Sequence, residues 1–220
     1  DTLSRMGVQP GTVLEPAMGV GNFFGLLPQR MGDAQLYGVE LDSITGRIAK
    51  QLYPKANITV SGFEHVNLPD NSIDLAVGNV PFGNYRLSDP RYKQYGFLIH
   101  DYFFAKTLDK VRTGGIVAFI TSKGTMDKQD TAVREYLAQR ADLLGAVRLP
   151  SSAFSKTANT EVTTDILFLQ KRDTPPEQLP DWVQLGKTAD GIPVNRYYEQ
   201  HPEMVLGTMV WDKSMYGNEK

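Results

Sequence analysis

Short apolar runs rich in β-branched residues recur along the chain, separated by stretches whose apolar residues repeat at helical spacing. This alternation constrains the fold more than any other feature, because it is the pattern of a mostly parallel sheet wrapped by helices. The runs predict strands at Thr12–Glu15, Leu36–Glu40, Asn57–Ser61, Ile73–Gly78, Gly115–Thr121, Leu143–Leu149 and Thr164–Gln170. One helix is expected to start on a Ser43 cap, with Ile44, Ile48 and Leu52 recurring every fourth residue and Pro54 past its end. Another should cover Phe97–Val111, with Phe97, Phe104, Leu108 and Val111 on one face and Gly114-Gly115 stopping it. A third should cover Thr131–Ala141. No crossover helix fits between the last two strands, where a loop rich in Ser, Thr and Asn stands, so the final strand is expected to reverse. The predicted architecture is an α/β three-layer sandwich on a seven-stranded, mostly parallel sheet with an antiparallel last strand.

With 41% hydrophobic and 22% charged residues in 220, the chain is neither disordered, collagen-like nor a coiled coil, and it can bury a full core. It has no cysteine, which excludes disulfides, thiolate zinc sites and Cys nucleophiles; a reducing, cytoplasmic setting is the expectation. His65, His100 and His201 lie far apart, so no metal site is expected. The longest apolar runs, such as Ile116–Ile120, are too short to span a bilayer. The opening Asp1-Thr2-Leu3 shows neither an initiator Met nor a signal-peptide pattern, and reads as a piece of a longer polypeptide. Asp173-Thr174-Pro175-Pro176 and Pro180 read as a linker. The expected organisation is therefore one domain over 1–172, then a linker and C-terminal extension over 173–220. The first carries 19 basic and 17 acidic side chains and the second 4 and 8, so nucleic-acid binding would have to come from local patches.

Two segments carry chemistry. The first strand ends in Glu15-Pro16-Ala17-Met18-Gly19-Val20-Gly21-Asn22-Phe23, where glycines two apart allow the backbone to approach a ligand. Glu40 ends the second strand, followed by Leu41; an acid there can accept hydrogen bonds from ribose hydroxyls. The glycines alone leave a dinucleotide open, since Gly25 completes a variant of that pattern. Glu15, however, would repel phosphates in the mouth of the turn and suits a cationic amine, such as the methionine end of S-adenosylmethionine. The second segment is the fourth strand, which runs straight into Asn79-Val80-Pro81-Phe82-Gly83-Asn84-Tyr85.

With these motifs the sequence resembles the amino-methylating, adenine-specific DNA methyltransferases, particularly their type I and Eco57I-like branch. The likeness runs on through Thr113–Thr121, Val147–Pro150 and Thr164–Leu169, and covers about residues 10–172. It implies the Rossmann-like methyltransferase fold, S-adenosylmethionine as cofactor, and transfer to the exocyclic N6 amino group of adenine in DNA. The family motif Asn-Pro-Pro-Phe/Tyr implies that the Asn79 side chain and the Val80 carbonyl hold the amino group, beside Pro81, while Phe82 stacks on a flipped-out base. Val80 replaces the first motif proline, and a return to proline should keep the carbonyl and restore stiffness. The implied cofactor residues are Glu15, Pro16, Ala17, Gly19, Gly21, Phe23, Glu40, Leu41 and Asn79, with Phe63 and Glu64 at the adenine in reversed family order. Tyr85, Arg86, Arg91, Tyr92 and Lys93, just beyond, could track a phosphate backbone and stack on bases. Lys123, Lys128, Arg134, Arg140 and Arg148 add positive charge to the same half. The same Asn-x-Pro-aromatic clamp serves enzymes acting on a glutamine amide or an RNA base, and a degenerate copy could serve as a nucleic-acid-binding module. The resemblance further implies a missing flanking or recognition domain and leaves the oligomeric state open.

Overall fold

The computed structural model describes residues 2–154 and 162–210. Seven strands, β1 (Thr12–Glu15), β2 (Gln35–Glu40), β3 (Asn57–Val60), β4 (Ile73–Asn79), β5 (Val111–Ser122), β6 (Ala141–Leu149) and β7 (Thr164–Lys171), form one sheet in the order β3-β2-β1-β4-β5-β7-β6. β1 to β5 pair in parallel, and β7 lies antiparallel between β5 and β6. Each predicted strand is present, with ends shifted by a few residues. The Ser/Thr/Asn-rich connection before β7 lies largely outside the described residues.

Alternation along the strands sends successive side chains to opposite faces and builds two cores. Leu14, Ala76, Val117, Phe119, Leu167 and Leu169 pack on one side with Phe104 and Leu108 of α4 (Ile99–Lys110), the fourth helix in chain order. Val13, Leu75, Val77, Ile116 and Ala118 pack on the other with Phe24 and Ala49. On that second side lie the one-turn helices α1 (Thr2–Arg5) and α2 (Asn22–Gly25), and α3 (Ser43–Leu52). α5 (Gly124–Asp127) and α6 (Ala132–Ala138) follow β5.

Three local points differ from, or add to, what the spacing predicts. The cap of α3 is Asp42, whose carboxylate accepts the Thr45 amide at 2.7 Å, while Ser43 is already helical. Ile44, Ile48 and Leu52 face outward, 60%, 46% and 57% exposed; α3 seats through Gly46 and Ala49 instead. A Cβ on Gly46 would lie 2.7 Å from Val60 Cγ2, so only a glycine lets helix and strand approach this closely. Third, Gly114-Gly115 does not stop α4. The helix ends at Lys110 and β5 begins at once, the glycines forming a bulge between the pairs Ile73–Val111 and Leu75–Ile116. Gly114 takes φ 77°, and a Cβ on Gly115 would lie 2.9 Å from the Asp74 carbonyl.

The described part of the C-terminal segment folds back on the sheet. A small hairpin, β8 (Leu185–Lys187) with β9 (Pro193–Asn195), leads into α7 (Arg196–Gln200). Trp182, Val183, Val194 and Tyr198 join the larger core. Arg148 organises this contact: its guanidinium forks onto Asp165 at 2.9 Å twice, reaches Asp127 at 2.7 Å and lies over the Tyr198 ring.

Candidate active site

The strand order reverses between β1 and β4, so the connections leaving their C-terminal ends part to opposite faces and open a crevice there, the usual ligand position in such sheets. β1 delivers Glu15 to this crevice and β4 delivers Asn79. A Cβ on Gly78 would touch Pro16 Cδ at 3.7 Å and Glu15 Cγ at 3.9 Å, so the two segments of interest meet side by side.

Glu15 is 1% exposed, and its Oε2 has no hydrogen-bond partner among the described residues. Burial pushes its carboxyl up to about 8; the Phe23 and Phe24 amides at the start of α2 oppose this and the nearby Glu40 adds to it. The turn after Glu15 is built on Gly19 at φ 56° and Gly21 at φ 86°. A Cβ on Gly21 would clash with the edge of the Tyr53 ring, whose hydroxyl donates to the Gly21 carbonyl at 2.7 Å. Beside Gly19 there is open space, where a ligand can lie against the backbone. Glu40 accepts the Gly19 amide at 2.8 Å through Oε2 and the Asp42 amide at 2.8 Å through Oε1. Both oxygens keep a lone pair free for hydroxyls. Leu41, next along, is exposed and offers an apolar surface to a planar ring. Pro16 is buried, and Ala17 and Phe23 pack at the edges of the two cores.

Asn79 stands exposed at the end of β4, opposite Ile120 of β5. Val80 turns its side chain into the larger core and donates its amide to the Ile120 carbonyl at 3.1 Å, which leaves Asn79 on a fixed backbone. Pro81 and Phe82 are half-buried. Glu15, Gly19, Gly21, Glu40, Leu41 and Asn79 therefore gather at the C-terminal ends of three adjacent strands.

Other expected residues are placed differently. Phe63 is 2% exposed and packs on Phe103 with ring centres 5.1 Å apart; it is a core residue with no face left for a cofactor ring. Glu64, partly exposed beside it, remains at the rim. Of the five loop residues, Tyr85, Arg86, Arg91 and Lys93 are exposed. Tyr92 is 4% exposed with its hydroxyl on Asp109, and Arg91 pairs with Asp70 at 2.8 Å and Asp109 at 2.9 Å. Both pairings hold the loop down; Tyr92 is turned inward, while the Arg91 side chain stays about half exposed. Arg134 and Arg148 are buried, Arg134 donating to the Val183 carbonyl, and Lys128 and Arg140 are half-buried, so of the wider basic set Lys123, just past the end of β5, is the exposed one. What the sequence reading missed is the group beneath the loop, Asp89, Tyr102 and Lys106; an Asp followed by a helix with Tyr and Lys one turn apart was its only trace.

Among the described residues no group of three or more His, Cys, Asp or Glu could hold a metal ion, and no helix is long and apolar enough to cross a membrane.

A seven-stranded sheet with a reversed β7, an acidic Gly-x-Gly turn after β1 and an acid ending β2 define the fold of S-adenosylmethionine-dependent methyltransferases. Residues 3–179 match the N-6 DNA Methylase family, and the chain belongs to it; S-adenosylmethionine is the cofactor that this family and fold define. The chain is 32% identical to Defense against restriction protein B of Escherichia phage P1 over 177 residues, which are 78% of this chain and 8% of that protein. It is 28% identical to the type II methyltransferase M.XamI of Xanthomonas campestris pv. amaranthicola, over 69% of this chain and 33% of that one. It thus spans a third or less of these curated relatives. Among solved structures, a modification subunit of a putative type I restriction enzyme from Vibrio vulnificus superposes with a TM-score of 0.64 at 18% identity, over 92% of this chain and 50% of that one.

Proposed function

We propose that this chain transfers a methyl group from S-adenosylmethionine to the N6 amino group of adenine in DNA. The observation that carries the reading is the exposed Asn79 on a rigid strand end, next in chain to Gly78, which lies against the buried Glu15, whose Oε2 has no hydrogen-bond partner among the described residues. Bound S-adenosylmethionine supplies an electrophilic methyl on a good leaving group. Glu15 would hold its ammonium, the Gly19 backbone would lie against its chain, and Glu40 would bind its ribose hydroxyls. Glu64 is the candidate acceptor for the adenine amino group, with Leu41 covering the ring in place of Phe63.

On the substrate side, the Asn79 oxygen and the Val80 carbonyl accept the two hydrogens of the target amino group. This turns the nitrogen lone pair out of conjugation and towards the methyl group, so the protein's contribution is alignment. Phe82 stacks on the base, which duplex DNA must present flipped out. Tyr85, Arg86, Lys93 and Lys123 form an exposed rim that can meet the phosphates.

The test is transfer of labelled methyl to DNA, RNA and protein in parallel, followed by identification of the modified nucleoside. N6-methyladenine from DNA is expected, and Asn79→Ala should lower turnover by orders of magnitude with little change in cofactor affinity. Wild-type turnover in that variant would refute the clamp. Cofactor binding without transfer to any of the three would assign the chain a binding role.

A further inference from the structure

The loop after β3 borders the cofactor side of the crevice, and the loop after β4 carries Tyr85, Arg86 and Lys93 on the substrate side. Neither is regular structure over most of its length. A buried cation joins the two. Lys106 of α4, 5% exposed, donates from Nζ to the Glu64 carbonyl at 3.0 Å and to Asp89 Oδ2 at 3.2 Å. Its ammonium lies 5.3 Å from the centre of the Phe63 ring. Asp89 also accepts the Tyr102 hydroxyl at 2.7 Å and the Arg91 amide at 3.1 Å, and its carbonyl takes the Tyr92 and Lys93 amides. The Arg91–Asp70 pair also ties the two loops, and Arg91 and Tyr92 bind Asp109 of α4, while Lys106 is the side chain that bonds both the Glu64 turn and the Asp89 turn.

We propose that Lys106 is a positioning residue that couples the two halves of the site, so that a cofactor held at Glu64 orders the substrate loop, residues 84–96. The inference rests on the assignment of Glu64 to the cofactor side in the function proposed above. A ligand that fixes the Phe63–His65 turn fixes the Glu64 carbonyl. Through Lys106 that carbonyl fixes Asp89, and Asp89 anchors the turn bearing Arg91, Tyr92 and Lys93. An ordered loop would then meet DNA at lower entropic cost, making cofactor and DNA binding mutually favourable.

Amide hydrogen exchange, followed with and without S-adenosylhomocysteine and in the absence of DNA, tests this. In the wild type the ligand should slow exchange across 84–96 by about tenfold or more. In Lys106→Met, with ligand binding checked by calorimetry, the ligand should still slow exchange around Gly19 and Glu40 while its effect on 84–96 disappears. Lys106→Arg, which keeps a cation able to reach both acceptors, should restore it. Asp89→Asn attacks the link from its other end and should behave like Lys106→Met. Unchanged protection of 84–96 in Lys106→Met or Asp89→Asn would overturn the proposal, as would a wild type in which the ligand leaves this loop unaffected. Because no DNA is present, a chain that shows the coupling but methylates no DNA would lose only the assignment of substrate. One that methylates DNA without the coupling would lose only this inference.

Discussion

Glu15 makes cofactor binding a titration. With its carboxyl raised to about 8, about nine in ten molecules of the ligand-free protein carry it protonated at pH 7. An ammonium placed against Oε2 favours the carboxylate, so binding must expel the proton, at a cost of about 1.4 kcal/mol at pH 7. Affinity for S-adenosylhomocysteine should therefore rise roughly fiftyfold from pH 6 to pH 8 and level off above. Calorimetry at pH 7 in buffers of different ionisation enthalpy should report release of about 0.9 proton per ligand. Folding stability runs the opposite way. The folded carboxyl sits above its ordinary value of 4.5, so the native state binds more protons than the unfolded chain between there and about 8, and stability falls as pH rises through that window. Glu15→Gln keeps the shape and removes the titration. It should raise stability at pH 7 by roughly 3 kcal/mol, flatten the pH profile and weaken ligand binding. A wild-type affinity that is flat from pH 6 to pH 8, with no proton released, would refute the assignment of Glu15 to the ammonium.

Other outcomes follow from the same geometry. Val80→Pro, harmless if only the carbonyl mattered, removes the amide bonded to Ile120 and should cost about 1 kcal/mol in denaturant unfolding, with no gain in turnover. Phe82→Ala should weaken DNA binding by roughly 1–3 kcal/mol in equilibrium titration, whereas Phe82→Tyr should be tolerated. Asp165→Ala leaves the buried Arg148 without its fork partner and should destabilise by about 3–5 kcal/mol, seen as a large fall in Tm. The isolated chain should bind DNA weakly, with affinity falling steeply as salt rises and little dependence on sequence; a tight selective footprint would contradict this.

The strands were legible because each buried run is short, β-branched and bounded by turn residues, and the reversal of β7 followed from the missing crossover helix. The clustering of Glu15, the glycines, Glu40 and Asn79 was legible because each lies at or just past a strand end, where the chain alone dictates position. The errors have one cause: they concern side chains whose fate depends on distant partners. Tyr92 looks like part of a nucleic-acid loop until Asp109 arrives from another segment to accept its hydroxyl. Phe63 looks available until Phe103 covers it. The helical spacing of Ile44, Ile48 and Leu52 was real, but helical period does not say which face is buried. Gly46 and Ala49, the small residues between, decided it by letting α3 come close.

α4 differs from α3 in the opposite sense. Of its twelve residues only Asp109 escapes full burial, and polar His100, Asp101, Lys106, Thr107 and Lys110 are enclosed along with the apolar ones. The sheet closes it on one side, and α6 and the loops after β3 and β4 on the others. Under random drift the two helices should accordingly accept change at very different rates. The outer row of α3 can exchange one residue type for another almost freely, while nearly every substitution in α4 alters a wall of the core or a tether of a loop. In a library of single substitutions scored for folded protein, α4 would stand out as the segment with the fewest survivors. Lineages of this domain would then diverge on the α3 surface long before they could diverge beneath the substrate loop.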